Sequence, residues 1–294
     1  MKNLFFITSI FTLLFLCCTS FASKENVISY GYSALLENHE KSREIAIQNA
    51  KETIIEQTID ALLIEPPQHN LFFKEDYISN YKIVHNTEKT VYDNNKNLIN
   101  LAIDTSVDFE KIYSDLQNSS LKKYLKIPEI LVQIDAFENG KSVDSHEITN
   151  YFCQYLSEDF KIVSQDIYKN ILINNLSISS RREKIIELAK SKNIDFIVFV
   201  NVISSEYLLK EKNMCSSKSV FRLECYSAYT KKKVYETQKP ISITEIGNQE
   251  ESNLILNTSF AVILSFFEDY KIRFTEYLYG KFAMDMYFSK KYTP

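Results

Sequence analysis

The feature that most constrains the fold is a set of small residues at four-residue spacing near the start of the chain. Ser42, Ala46 and Ala50 recur every four residues within a stretch, 40–63, whose apolar positions follow helical spacing. Residues four apart lie on one side of a helix, so these three form a ridge on which a sheet can pack closely. Pro66-Pro67 ends the predicted helix, because proline cannot continue it.

A strand is predicted immediately before this helix. Residues 27–34 alternate so that Ile28, Tyr30, Tyr32 and Ala34 share one face. Gly31 lies in the middle of the strand and indicates either a close backbone approach or a bulge.

Further strands are predicted after the helix, at 81–85, 89–92 and 98–108, with a turn at 93–95. A short helix at 109–116 closes this unit. A strand, a long helix and then antiparallel strands are typical of a small α+β domain. In the last of these strands one face carries Ile99, Leu101, Ile103, Thr105 and Val107.

The segment from Tyr30-Gly31-Tyr32 through Ser42–Ala50 resembles the N-terminal domain of the flagellar assembly protein T family, which also occurs in some envelope lipoproteins. That domain has a GxA strand, an ARexAixxA helix and hairpin strands that end in valine-aspartate before a short helix. Val107-Asp108 matches the ending, and Ser42 replaces the first alanine of the helix pattern. The resemblance implies a periplasmic assembly protein that joins a ring around the flagellar basal body and recruits other ring or motor components.

A second unit is predicted at 126–288, after a polar linker at 118–123. It begins with a strand at 130–134 and a turn at Asn139-Gly140, followed by a helix at 145–158 that Asp144 or Ser145 can cap. A strand at 160–164, a helix at 181–192 and a nearly continuous apolar strand at 195–203 follow. Alternation of this kind indicates βαβ units.

The second unit ends in a predicted hairpin, 219–229 with 233–243, and a long helix at 250–279. The apolar stripe of this helix favours packing on the sheet over membrane binding. It consists of Leu254, Ala261, Leu264, Phe267, Phe274 and Leu278. The layout resembles the middle domain of the same flagellar family, the N-terminal domain of TolB-type periplasmic proteins and the periplasmic domains of curli-secretion-channel lipoproteins.

The predicted organisation is therefore a signal peptide at 1–22, a small α+β domain at 23–118 and a TolB-N-like α/β domain at 126–288. The signal peptide is indicated by Lys2, an apolar run from Leu4 to Cys18 and small residues before a cleavage site after Ala22. A lipid anchor on Cys17 or Cys18 is the rival interpretation. Export places the chain in the periplasm, where outer-membrane association stays open.

Composition argues against a nucleic-acid partner and against metal binding. The net charge is −4, and no long basic run is present to neutralise phosphates. The four histidines show no HxxxH spacing, and no CxxC occurs. Cys153, Cys215 and Cys225 are an odd number of cysteines for an oxidising compartment. Cys215 and Cys225 either pair or stay free.

No catalytic motif is found, and the sequence predicts no enzyme activity, no cofactor and no catalytic, cofactor-binding or metal-binding residues. A G-x-S-x-G elbow and a phosphate-binding loop are both missing from the sequence. Gly31 and Ala46 fit tight packing better than chemistry. Asp195 is predicted to cap or pair with the helix before it. His146, at a helix start, is predicted to have an exposed or capping role.

The predicted function is that of a periplasmic assembly protein, a component of the flagellar basal-body ring that acts through protein–protein contacts. Its expected partners are envelope proteins, with ring or motor components first among them and a homo-oligomeric ring as one arrangement. The alternative is a periplasmic or outer-membrane-associated binding module, an activator or a secretion-channel accessory, that uses the TolB-N-like domain.

Overall fold

The structure is a computed structural model that describes residues 24–65, 74–93, 96–168, 177–209, 214–246 and 254–291. The segment 1–22, with Cys17 and Cys18, lies outside the described residues, as do Pro66, Pro67 and the centre of the 93–95 turn. The fold is α+β, as predicted.

The first half of the chain forms a four-stranded antiparallel sheet with one long helix on it. Its strands are β1 (Lys24–Ala34), β2 (Ile78–Ile83), β3 (Lys89–Asp93) and β4 (Lys96–Asp108). Helix α1 (His39–Leu62) packs on β1 and β4. The sheet order is β1-β4-β2, with β3 also paired to β4. Helix α2 (Phe109–Gln117) follows β4 directly, with Asp108 accepting a hydrogen bond from the backbone N–H of Lys111 at 3.1 Å.

The second half forms a mixed six-stranded sheet. Its strands are β5 (Glu129–Glu138), β6 (Lys141–Val143), β7 (Lys161–Val163), β8 (Phe196–Leu209), β9 (Met214–Ser227) and β10 (Lys233–Ile246). The order is β10-β9-β8-β5-β6, with β7 also paired to β5. Pairs β5–β8 and β5–β7 are parallel, which confirms the predicted βαβ connections.

Helices cover both faces of this second sheet. Helices α3 (His146–Leu156) and α5 (Leu254–Lys291) lie on one face, and α4 (Ile178–Ser191) lies on the other. Along β8, Phe196, Val198 and Val200 face the α3–α5 side, while Ile197 and Phe199 face α4. Burial on both faces explains why the sequence of β8 is almost continuously apolar.

One hydrophobic core runs through both halves. Helix α5 contacts α1 and α2 as well as the second sheet, and Tyr113 of α2 stacks on Tyr279 of α5 with ring centroids 4.5 Å apart. The stretch predicted as a linker contains a short 3-10 helix, Ser120–Tyr124. The division into domains at 23–118 and 126–288 stays a prediction.

The predicted stripe of α5 is wrong at two positions. The helix runs to Lys291, twelve residues past the predicted end. Its packed face is centred on Val262, Ile263 and Phe266, whereas Ala261 is half-buried and Leu264 is exposed. Each residue turns a helix by about 100°, so an error of one position moves a side chain off the core. The side chain of Leu254 lies outside the described residues.

The capping prediction for α3 is correct for one of its two candidates. Asp144 accepts a hydrogen bond from the backbone N–H of His146 at 3.0 Å. Ser145 instead donates its hydroxyl to the carbonyl of Ile134, 2.9 Å away. The side chain of Ser145 therefore fastens the helix start to β5 and leaves the capping to Asp144.

Candidate interaction surface

At Gly31 the backbones of β1 and α1 approach so closely that no side chain could be accommodated there. A Cβ placed on Gly31 would lie 1.9 Å from the carbonyl oxygen of Ala46 and 2.7 Å from the backbone nitrogen of Ala50. Ser42 continues the ridge and accepts a hydrogen bond from the backbone N–H of Leu36 at 2.8 Å. The predicted close approach at Gly31 is confirmed, and Gly31 and Ala46 have packing roles.

This contact decides which face of β1 is covered. The residues facing α1 are Val27, Ser29, Gly31 and Ser33, all buried and most of them small. The opposite face carries Ile28, Tyr30 and Tyr32, which are 47%, 63% and 65% exposed. We call these three the exposed row. The prediction that they share a face is confirmed, and that face points to solvent.

The exposed row lies on the last strand of its sheet, beside a buried alanine and a carboxylate of β4. Tyr30 is directly opposite Ala102, and Ile28 is opposite Asp104. Val91 of β3, also exposed, lies opposite Leu98 on the same face. Antiparallel sheets with one solvated face normally place polar residues there. Adjacent large apolar side chains on such a face are typical of a site that another molecule covers.

Asn49 fixes the backbone of β1 beside this row. Its side-chain amide, on the exposed flank of α1, donates a hydrogen bond to the carbonyl of Tyr32 at 2.8 Å. The row is therefore held on a rigid strand by the helix behind it. A surface held in this way loses little conformational freedom on binding, which favours affinity.

An ionic network around one buried carboxylate lies at the start of α4, on the opposite face of the second sheet from α5. Glu224 is almost fully buried, and its carboxylate contacts Arg182 at 2.5 Å, Arg222 at 3.2 Å and Lys233 at 3.3 Å. Glu236 lies directly opposite Glu224 in the sheet and contacts the same Arg222 and Lys233. Two carboxylates in that position repel each other, so the cations between them hold the strands together.

Asp195 pairs with a strand, and the prediction that it caps or pairs with the preceding helix is wrong. Its carboxylate accepts a hydrogen bond from the backbone N–H of Glu129 at 2.8 Å, which ties the start of β8 to the start of β5. Burial raises the pKa of Asp195 to about 6, and the nearby carboxylates of Glu129 and Asp285 add to the effect. No local sequence pattern indicates this contact, because Glu129 is 66 positions away from Asp195.

A cavity of about 480 Å³ opens beside Asp195. Phe196, Ala228 and Phe282 supply apolar walls, and Asp285 of α5 also faces it. Asp285 accepts a hydrogen bond from the Ser227 hydroxyl at 2.7 Å. It also pairs with Lys281, 3.2 Å away. Both carboxylates are thus engaged in joining elements of the fold.

The cysteines do not form the pair considered from the sequence. Cys215 and Cys225 lie on the same strand, β9, ten positions apart, which is about 33 Å in an extended chain. A disulfide needs Cα atoms within roughly 7 Å. Cys225 is buried and Cys153 is half-buried; both are free thiols whose pKa is raised by burial, to about 11 for Cys153.

Two further properties concern the described part of the chain as a whole. Within it, His, Cys, Asp and Glu side chains form no group of three or more that can hold a metal ion. No helix in the same ranges is both long enough and apolar enough to cross a membrane. His146 lies exposed at the start of α3, as predicted.

Comparison with known proteins gives a weak structural likeness. No family model matches the chain, and no curated protein matches it. The LpoB C-terminal domain from Salmonella enterica is 13% identical with a TM-score of 0.30, covering 45% of this chain and 94% of that one. The lipoprotein GNA1162 from Neisseria meningitidis is 15% identical with a TM-score of 0.33, covering 48% and 99%.

A third similar structure is a PelC dodecamer from Paraburkholderia phytofirmans, 13% identical with a TM-score of 0.28, covering 48% of this chain and 85% of that one. In all three cases about half of this chain matches nearly the whole of the other. Scores and identities this low support no statement about what this chain binds.

Proposed function

We propose that the protein is an exported assembly protein of the bacterial cell envelope that acts through protein–protein contacts and has no catalytic activity. The observation that supports this is the exposed row on β1. Three large apolar side chains lie side by side on the open face of a rigid sheet, where a soluble monomer ordinarily carries polar residues. Tyrosine is also enriched at the centres of protein interfaces.

The finer proposal is a role in the flagellar basal-body ring, with ring or motor components as partners. It rests on the resemblance carried by Gly31, Ser42 and Ala46. These residues form the close contact between β1 and α1, and that contact turns the exposed row outward. The residues of the resemblance therefore support the surface that we propose for binding, without belonging to it.

The absence of catalysis is proposed from the state of two carboxylates beside the cavity, the half-buried Asp195 and the buried Asp285. Asp195 is held by a backbone N–H, and Asp285 by Ser227 and Lys281. A general acid or base needs a proton-transfer position open to substrate. Carboxylates that join strands and helices in this way have structural roles that account for their position beside the cavity.

The direct test is site-specific crosslinking in cells. A photoreactive phenylalanine analogue replaces Tyr30, and in a second strain it replaces Lys184, an exposed residue of α4. We expect flagellar ring or motor proteins to be captured from position 30 and not from position 184. Capture of peptidoglycan-synthesis or secretion proteins would favour the binding-module alternative. Identical capture at both positions would contradict the role of the exposed row.

A genetic test distinguishes a general role in envelope assembly from the specific role in the flagellar basal-body ring. Deletion of the gene should abolish swimming and alter the basal body, and the wild-type gene should restore both. Ile28→Ser should fail to restore them, whereas Ile178→Ser should succeed, because Ile178 is similarly exposed, at 50%, but lies on α4, away from the exposed row. Normal swimming and normal basal bodies after deletion would rule out the flagellar role.

A further inference from the structure

Helix α4 covers only one end of its face of the second sheet. Beneath the helix, Ile197 and Phe199 of β8 are buried together with residues of α4. Strands β8, β9 and β10 extend well beyond this end, and there the side chains of the same face reach solvent. In β10 the exposed residues of this face are Gln238, Pro240, Ser242 and Thr244. We call this part of the face the open end.

One row of apolar side chains crosses the open end from strand to strand. Phe137 of β5 lies directly opposite Ile203 of β8. Ile203 is in turn opposite Val220 of β9, which is opposite Pro240 of β10. We call these four residues the cross-strand row. Ile203 is 48% exposed and Pro240 is exposed, while the other two are half-buried. Neighbouring apolar side chains on a solvent-facing part of a sheet are typical of a surface that another molecule covers.

Polar side chains border the cross-strand row on both sides. On the side nearer to α4 the adjacent residues of the four strands are Asp135, Asn201, Arg222 and Gln238. On the far side they include Ser205, Lys218 and Ser242. An apolar centre with a polar rim is the usual anatomy of a protein interface.

Arg222, on the rim nearer to α4, has hydrogen-bond donors that it does not use. It contacts Glu224 at 3.2 Å and Glu236 at 2.7 Å, in both cases through Nη2. A guanidinium carries five N–H donors in a planar fork. Among the described residues, neither Nη1 nor Nε of Arg222 has a hydrogen-bond acceptor, and the side chain is 45% exposed. The outward part of this guanidinium can therefore bind a carboxylate of another molecule.

Asp135, on the same rim, has acceptors that it does not use fully. Its two oxygens lie 3.3 and 3.4 Å from Nε2 of Gln133, and one of them lies 3.9 Å from Nη1 of Arg181. Hydrogen bonds between a cation and a carboxylate are ordinarily about 2.7–2.9 Å long. Asp135 is on β5 and Arg222 on β9, with β8 between them, and the described residues show no ion pair joining the two.

We propose that the open end binds a second copy of this chain, forming a two-fold symmetric dimer through the cross-strand row. The axis runs along the strands, between β8 and β9. Ile203 then packs on the partner's Val220, and Phe137 packs on the partner's Pro240. The same rotation places Arg222 within one strand spacing, about 5 Å, of the partner's Asp135, and it does so twice in each dimer.

The rim charges favour a second copy as the occupant and select the direction of the axis. A surface that pairs with itself must supply both members of every contact. The rim does so, because it carries a guanidinium with unused donors and a carboxylate with unused acceptors. An axis across the strands would instead place Arg222 on the partner's Lys218, and two cations in that position repel each other.

The test is sedimentation equilibrium of the purified protein from about 5 to about 200 μM, because so small an apolar centre should give a weak dimer. The wild type should shift from monomer to dimer over this range. Ile203→Asp should remain a monomer, since dimerisation would bury the new carboxylate. Ile28→Asp is the matched control, because Ile28 is 47% exposed but lies on the exposed row, and it should dimerise normally. A wild type that stays monomeric would overturn the proposal, as would loss of the dimer in the control alone.

A mixing experiment tests the direction of the axis. Ile203→Asp and Val220→Lys should each be monomeric alone and should dimerise with each other, because position 203 of one copy faces position 220 of the other. If both proteins are folded by circular dichroism and do not associate on mixing, the proposed arrangement is wrong.

An isosteric change keeps the proposal testable if the substitutions in the cross-strand row prevent folding. Asp135→Asn should weaken the dimer about tenfold, because it removes one charge from each of two ion pairs. An unchanged dissociation constant would contradict the pairing with Arg222. The proposal does not rest on the proposed function, since the exposed row and the cross-strand row lie on different sheets. Crosslinking from position 30 can fail while the dimer forms, and the dimer can fail while that crosslinking succeeds.

Discussion

Helices α1 and α5 each cover a sheet, but α1 packs through small residues and α5 packs through aromatic rings. Helix α1 meets β1 through Ser42, Ala46 and Ala50, and the strand supplies Gly31 at the point of closest approach. Helix α5 meets the second sheet through aromatic rings, with Phe266 packed between Phe152 and Phe221 at centroid distances of 6.4 and 4.8 Å.

This difference determines which kind of substitution should destabilise each half. A contact between backbones has no space for an added atom and little side chain to lose. A contact between rings is destabilised when one ring is removed, because the surrounding rings cannot all move into the cavity that it leaves. Additions should therefore damage the first half and deletions the second, and substitutions at the two contacts test this contrast.

The largest effect should come from Phe266→Ala. Phe266 is fully buried and lies within 6.4 Å of five other aromatic rings. Its truncation leaves a cavity, and we expect the free energy of unfolding to fall by about 4 kcal/mol, measured by urea denaturation. Phe266→Leu should cost less than half as much. Equal losses for the two variants would mean that burial alone, and not ring packing, sets the stability of this contact.

Gly31→Ala should be nearly as damaging, although it adds one methyl group. The new Cβ would overlap the backbone of α1, so the helix must move away from the sheet, at about 3 kcal/mol. The control is Gly140→Ala in the β5–β6 turn, where no atom lies within 4 Å but φ is +79°. Strain alone should make that change cost about 1 kcal/mol. If Gly140→Ala proves the costlier of the two, the close-contact interpretation of β1 fails.

An intermediate effect is expected outside both contacts, at Glu224→Gln. This change removes the charge that balances the mostly buried Arg182, 2.5 Å away, and we expect a loss of about 2 kcal/mol in urea denaturation. Glu236→Gln removes a half-exposed carboxylate from the same network, and its cost should stay below about 1 kcal/mol. Similar losses for both would indicate that the network behaves as ordinary surface charge.

The smallest effect on stability is expected at the exposed row. The double variant Tyr30→Ser, Tyr32→Ser should change the free energy of unfolding by less than about 0.5 kcal/mol, because both rings face solvent. Crosslinking from position 28 should nevertheless lose its partner. A large loss of stability would show that the row packs within the protein rather than against another molecule.

Much of the fold follows from periodicity. The five inward residues of β4, from Ile99 to Val107, alternate as a half-buried strand should, and all are buried. The spacing of Ser42, Ala46 and Ala50 indicates a close helix–sheet contact, and Gly31 marks the matching point on the strand. The local sequence is sufficient to predict these features, because the inward residues of β4 recur with the period of a strand and the small residues of α1 with the period of a helix.

The rest depends on partners distant in sequence. Alternation in β1 places Ile28, Tyr30 and Tyr32 on one face of the strand. Their hydrophobicity suggests that this face is buried, but α1 covers the opposite face. The helix selects the small side chains because only they permit its approach. The reach of Asp195 to β5 and the exact stripe of α5 likewise depend on which elements meet, which no local period encodes.

The sequence separation between α2 and α5 bears on the timing of folding. Tyr279, Phe282 and Tyr287 pack against Tyr113 and Phe109, more than 160 positions earlier. Contacts over such separations form slowly, and here they also require α5 to have been synthesised. Until α5 has formed, α2 exposes the aromatic surface that α5 will cover. The shared core of the two halves therefore closes late in folding.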